Sequence, residues 1–152
     1  MSHGVIVVGV DGSEVSKRAL RWAVEEARLR HARVRVVHAW WLYPMLPPSR
    51  NPSGNDPLRV SDDATGAVQA FVTATVGWQQ VVEIETVAVQ GQQASAALVD
   101  AAGDADLLVV GSRGAGGFSG LLLGSVSRQS AQRAPCPVVI VRGVATQNQA
   151  ET

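Results

Sequence analysis

Short apolar runs and helical patterns alternate along the whole chain, and this alternation restricts the fold more than any other feature. The runs cover residues 4–10, 33–39, 81–89, 106–110 and 137–142, and most are rich in valine. Their length and β-branched content predict strands. Between them, residues 13–31, 61–76, 92–102 and 125–133 carry helical spacing and end signals. Strands that alternate with helices form a parallel sheet covered on both faces, because each right-handed crossover returns a helix over the sheet. The class is α/β, a single doubly wound five-stranded sheet. Alternation alone permits the strand orders 3-2-1-4-5 and 2-1-3-4-5.

Local signals place the ends of the elements. Ser13 caps the first helix, whose residues Val15, Ala19, Ala23 and Ala27 form an inward stripe of mostly small side chains. Residues 44–57 are rich in proline, serine, glycine and asparagine, which predicts a mobile loop over about 43–60, beside the site. Ser61-Asp62-Asp63 supplies a cap and two acids to the second helix, and Gly77 ends it. Alternation around Glu83 and Glu85 marks an edge strand. Gly103 ends the third helix by taking the left-handed conformation. The chain reads as one domain over 1–145 and a polar tail at 146–152.

With 46% hydrophobic and 17% charged residues, the composition is that of a compact soluble protein. Thirteen basic side chains balance thirteen acidic ones, so no basic face for nucleic acid is expected. Arg28, Arg30, Arg33 and Arg35 read as a solvated rim. A single cysteine precludes an internal disulfide, and Cys136, between two prolines, reads as structural. The run at 5–10 is too short for a signal peptide or membrane span, so a cytoplasmic location without membrane association is expected.

The stretch that carries chemistry is Gly111-Ser112-Arg113-Gly114, nine residues, then Gly124-Ser125-Val126-Ser127. It places a glycine loop after a strand and a hydroxyl at a helix start. Glycine lets backbone approach a ligand, and a helix beginning at Ser125 offers unpaired N–H groups and a partial positive charge to phosphate. The only lysine, Lys17, lies inside the first helix, and no Gly-x4-Gly-Lys-Ser/Thr motif exists. Phosphate would therefore be held by the amides of residues 113–117, among them Gly114, Ala115, Gly116 and Gly117, by the Ser125 and Ser127 hydroxyls, and by Arg113. No Gly-x-Ser-x-Gly elbow occurs. His3, His31, His38 and Cys136 lack zinc-type spacing, and His38 reads as a structural residue near the sheet end.

The spacing Gly-x2-Gly-x9-Gly-Ser, with Val7-Val8-Gly9-Val10-Asp11-Gly12-Ser13, resembles the nucleotide-binding branch of the universal stress protein family over roughly residues 4–142. The resemblance implies the order 3-2-1-4-5, with the crevice beyond strands one and four as the ligand site. It implies ATP with Mg²⁺, and a contact from Asp11 to the nucleotide or metal. Asp11 also has a plain reading as a turn former. Gly9 and Val10 would line the floor, and Ala39 would offer backbone to the adenine. Trp40 and Trp41 point opposite ways, so at most one faces the pocket. A homodimer through the apolar C-terminal edge strand is implied too. The expected function is a nucleotide-dependent regulator in stress response with an unknown protein partner and slow ATP hydrolysis at most. The alternatives are a nucleotidyl or phosphoryl transferase or ATPase of the adenine-nucleotide α/β group, and a dimeric scaffold that binds no nucleotide.

Overall fold

The computed structural model describes residues 3–40, 57–77, 81–90, 93–113 and 123–143. Its elements alternate as β1 (Val5–Gly9), α1 (Glu14–Arg30), β2 (Arg33–Trp40), α2 (Pro57–Val76), β3 (Ile84–Gln90), α3 (Ala94–Ala101), β4 (Leu107–Gly111), α4 (Ser125–Arg133) and β5 (Val138–Val141). The sheet is parallel throughout, in the order β3-β2-β1-β4-β5. Of the two orders that alternation permits, this is the one the resemblance implies, and the expected edge positions of β3 and β5 follow.

Period-two alternation divides β1 and β4 between two cores. Ile6, Val8, Leu107 and Val109 join Ala19, Leu20, Ala23 and Ala27 on the side covered by α1 and α2. Val5, Val7, Leu108 and Val110 join Val37, Leu98 and Ala102 on the side covered by α3 and α4. The small stripe of α1 is buried at Ala19, Ala23 and Ala27; Val15 is half-buried, and Leu20 completes the face. Alanines bring the helix backbone close to the sheet, while Leu20 fills the volume they leave.

Several local expectations need correction. Helix α2 starts at Pro57, not at Ser61, so Ser61, Asp62 and Asp63 lie beyond its first turn. Proline is at home in the first helical position, where its missing N–H has no partner to lose and its φ is preset. The predicted loop therefore loses its last residues to α2. Gly77 ends α2 at φ +84°, in the left-handed region. Gly103 has no positive φ. Instead α3 closes through Ala102, whose N–H reaches the Leu98 and Val99 carbonyls, and Gly103 N–H bonds Asp100 O at 3.2 Å. A tight final turn satisfies these groups without a left-handed residue. Strand β3 starts at Ile84, later than expected, after Val81 and Val82.

Arg35 is not part of a solvated rim. Its side chain is only 15% exposed, and it donates to Glu85 Oε2 (3.0 Å), Asp104 Oδ1 (2.7 Å) and the Ala101 carbonyl (2.9 Å). Position 35 faces the α3 side of the sheet, so the guanidinium is drawn under the α3–β4 turn instead of into water. Arg28 and Arg30 fit the expected reading, being exposed and paired along α1 with Glu25 and Glu26. The expected loop residues before Pro57 and the tail at 146–152 lie outside the described residues.

Candidate functional site

The β1–α1 turn forms one wall of the site. Val10 N–H extends the ladder past β1 by bonding Val37 O at 3.0 Å, and Gly12 then reverses the chain at φ +85°. Asp11 Oδ1 accepts from Ser13 N–H (2.9 Å) and from the Ser13 hydroxyl (2.5 Å). That hydroxyl in turn accepts Ser16 N–H at 3.2 Å, which caps α1. The turn role read for Asp11 is thus present, and the same residue stands exposed at the cavity mouth. Lys17 takes no part in the cavity wall. Its ammonium bonds Glu14 at 2.7 Å and holds the Glu14 carboxyl below the usual carboxylate range.

The opposite wall comes from the ends of β4 and α4. Gly111 lies so close to α1 that a Cβ there would sit 2.6 Å from Val15 Cγ1. Ser112, buried, spends its N–H on Val141 O (2.8 Å). Its carbonyl accepts Gly124 N–H at 2.6 Å and the Ser127 hydroxyl at 3.1 Å. This clasp joins the two ends of the glycine stretch. Gly124 is the N-cap of α4 and supplies no capping side chain, so the first N–H groups of the helix remain for a ligand. Ser127 is 1% exposed and its hydroxyl also reaches Gly124 O (2.9 Å). In the structure that hydroxyl pins the clasp.

Between these walls lies a cavity of about 410 Å³ at the carboxyl end of the sheet, a size typical of small-molecule sites. Of the residues singled out in the sequence, Gly9, Val10, Asp11, Ala39, Gly111 and Arg113 line it from the strand ends. Gly124, Ser125, Val126 and Ser127 line it from α4. Ser112 sits behind the wall, and Gly114, Ala115, Gly116 and Gly117 lie outside the described residues. Sequence reasoning missed Val37, Val110, Ala94 and Leu98, which make an apolar flank, and Ser16 and Arg128. One signal for Leu98 was available in retrospect: a Cβ at Gly9 would lie 2.7 Å from Leu98 Cδ1. The Leu98 side chain settles into the space that the glycine leaves open at the end of β1.

The other singled-out residues have structural surroundings. His38 Nδ1 is 3.0 Å from Val10 O. A carbonyl only accepts, so this nitrogen carries the proton and the ring buttresses the turn. Trp40 closes β2; its side chain and Trp41 lie outside the described residues. Cys136 is half-buried, and burial pushes its thiol above the usual range, which disfavours the thiolate. No group of three His, Cys, Asp or Glu side chains able to hold a metal exists among the described residues. Among them, too, no helix is long and apolar enough to cross a membrane.

Comparison with known proteins places this geometry in context. A family model described as the universal stress protein family matches residues 3–142. A universal stress protein of Mycobacterium tuberculosis is 38% identical over 140 residues, 90% of this chain and 44% of that protein. One from Thermus aquaticus is 37% identical over 138 residues, covering 90% of this chain and 97% of that protein. The chain thus spans less than half the length of the mycobacterial relative and nearly all of the Thermus one. Among solved structures, a universal stress protein in complex with cAMP is 29% identical, with TM-score 0.63, covering 95% of this chain and 100% of that one. The Archaeoglobus fulgidus protein in complex with dAMP is 29% identical, with TM-score 0.62, covering 93% and 99%.

Proposed function

The chain belongs to the universal stress protein family, and on that premise we propose that it binds ATP and acts as a nucleotide-dependent regulator in stress response, with little or slow hydrolysis. The observation that carries this reading is the cavity itself. One flank is apolar, at Val37, Ala39, Ala94 and Leu98, and the other holds the uncapped start of α4 with Arg113 and Ser125 beside it. A purine has an apolar face, whereas its phosphates require N–H donors and positive potential. The complexes of two relatives with cAMP and dAMP support an adenine ligand here.

Asp11 is the single carboxylate that lines the cavity among the described residues. That fits Mg²⁺ arriving with the phosphates, since this ion retains waters and needs few protein ligands. It fits rapid hydrolysis poorly. Oδ1 of Asp11 is engaged twice by Ser13, and among the described residues no histidine or second carboxylate lines the cavity to act as general base. Titration calorimetry with MgATP is expected to give saturable heat at one site per chain. Absence of heat would leave the dimeric scaffold as the better reading. Sustained turnover above about 1 s⁻¹, the low end of ordinary enzymes, would favour the transferase or ATPase alternative.

A homodimer paired through β5 belongs to the same proposal. Val138, Val139, Ile140 and Val141 are all half-buried on an edge strand, a template for a second copy. Sedimentation of a monomer at micromolar concentration would remove it. A reducing cytoplasm suits the lone thiol of Cys136, which has no second cysteine to join.

A further inference from the structure

Three formally charged side chains line the cavity among the described residues: Asp11, Arg113 and Arg128. Arg128 is the fourth residue of α4, in the first turn of that helix. The positive end of the helix dipole lies there, so a cation in that turn is unfavourable and an acid is the usual occupant. The first turn of α4 contains no acid. Neither Arg113 nor Arg128 has a carboxylate partner among the described residues. Helix α1 carries a cation at the same fourth position, Lys17, but there Glu14 precedes it and pairs with it at 2.7 Å, a partner that α4 does not supply to Arg128. The clasp from Ser112 O to Gly124 N–H, at 2.6 Å, keeps Arg113 beside the same turn. Two exposed arginines and a row of N–H donors therefore line the cavity among the described residues, with a single carboxylate, Asp11, to offset them.

We infer that Arg128, together with Arg113, sets the charge of the ligand, selecting a nucleoside 5′-di- or triphosphate over a monophosphate or cyclic nucleotide. This rests on the adenine-nucleotide reading above. The N–H groups of α4 suffice for one phosphate, whereas two arginine forks match the additional oxygens of a longer chain. The unfavourable position of Arg128 becomes favourable only when a polyanion lies against it.

The test measures binding of ATP, ADP, AMP and cAMP to the full chain and to Arg128→Gln by calorimetry, alongside thermal unfolding without ligand. The native chain should bind ATP at least about tenfold more tightly than AMP or cAMP, the scale of one charge-assisted hydrogen bond. Arg128→Gln should lose about tenfold in ATP affinity while AMP and cAMP change by less than about twofold. Its ligand-free unfolding temperature should stay level or rise, because a misplaced cation has been removed. Arg128→Lys should recover part of the ATP affinity. The inference is overturned if the native chain binds AMP as tightly as ATP, if Arg128→Gln weakens all four ligands alike, or if its ligand-free unfolding temperature falls. Should none of the four bind the native chain, the adenine-nucleotide reading itself fails, a result distinct from binding that ignores ligand charge.

Discussion

The amino and carboxyl ends of the sheet are made by the same strands yet treat charge in opposite ways. At the amino end, Asp106 Oδ2 accepts Val5 N–H at 2.8 Å while Asp106 N–H bonds Val5 O at 2.9 Å. Arg35 divides itself between Glu85, Asp104 and a carbonyl. Arg33 is the exception there, with its Nε buried and without a partner. At the carboxyl end, glycines replace side chains at 9, 111 and 124, and Arg113 and Arg128 have no carboxylate partner among the described residues. Charges that are mutually neutralised secure the fold. Those left facing a cavity are available to a ligand.

The largest test joins both ends through their shared core. Leu108, the second residue of β4, is fully buried, and Leu108→Ala should cost about 2–5 kcal/mol in denaturant unfolding. Hydrogen exchange should quicken at both ends together; quickening at one alone would show that they unfold separately. Next comes Gly111→Ala, which touches the carboxyl end only. Its methyl would meet Val15, a stiff β-branched side chain, at 2.6 Å. A loss of about 1–3 kcal/mol from overpacking is expected, with weaker ATP binding; unchanged stability would refute the close approach of α1 as the reason for glycine.

A smaller effect is expected from the amino end under acid. The hydrogen bond from Arg35 holds the Asp104 carboxyl below its usual range. The pair therefore stabilises the fold above about pH 4, the ordinary carboxylate value, and loses that contribution as pH falls through the lowered value. Urea titrations at pH 6 and pH 3 should show a smaller acid loss in Asp104→Asn than in the native chain. An equal loss would mean that this pair does not set the acid limit. The smallest change is Ser130→Ala. The Ser130 hydroxyl is buried in α4 without a partner, and alanine is the better helix former. Thermal unfolding should be unchanged or raised by the equivalent of up to about 1 kcal/mol; a clear fall would mean the hydroxyl has a use the contacts do not reveal.

The legibility of these features in the sequence followed the range of the interactions behind them. Helix α4 was readable to the residue, Ser125–Arg133, because its start and stop are encoded locally by Gly124 and by Ala134-Pro135. The start of α2 was not. Ser61-Asp62-Asp63 is a strong local cap signal, and Pro57 looks the same at the end of a loop as at the head of a helix. Gly9, Asp11, Gly111 and Gly124 were legible as neighbours around one cavity because the strand order brings their ends together. Leu98 and Ala94 were not, since only the packing of α3 over Gly9 brings them there. Arg35 was misread for the same reason: its partners, Glu85 and Asp104, are 50 and 69 residues away. Arg128 was overlooked although its placement is local, a cation at the fourth position of a helix with no acid ahead of it.

The clasp between Ser112 and Gly124 has a corollary. Because both feet of the intervening stretch are fastened to the scaffold, its length is nearly uncoupled from the integrity of the sheet: doubling such a stretch adds only about 0.6 kcal/mol of closure entropy. Changes in the length of that stretch should thus leave the frame intact.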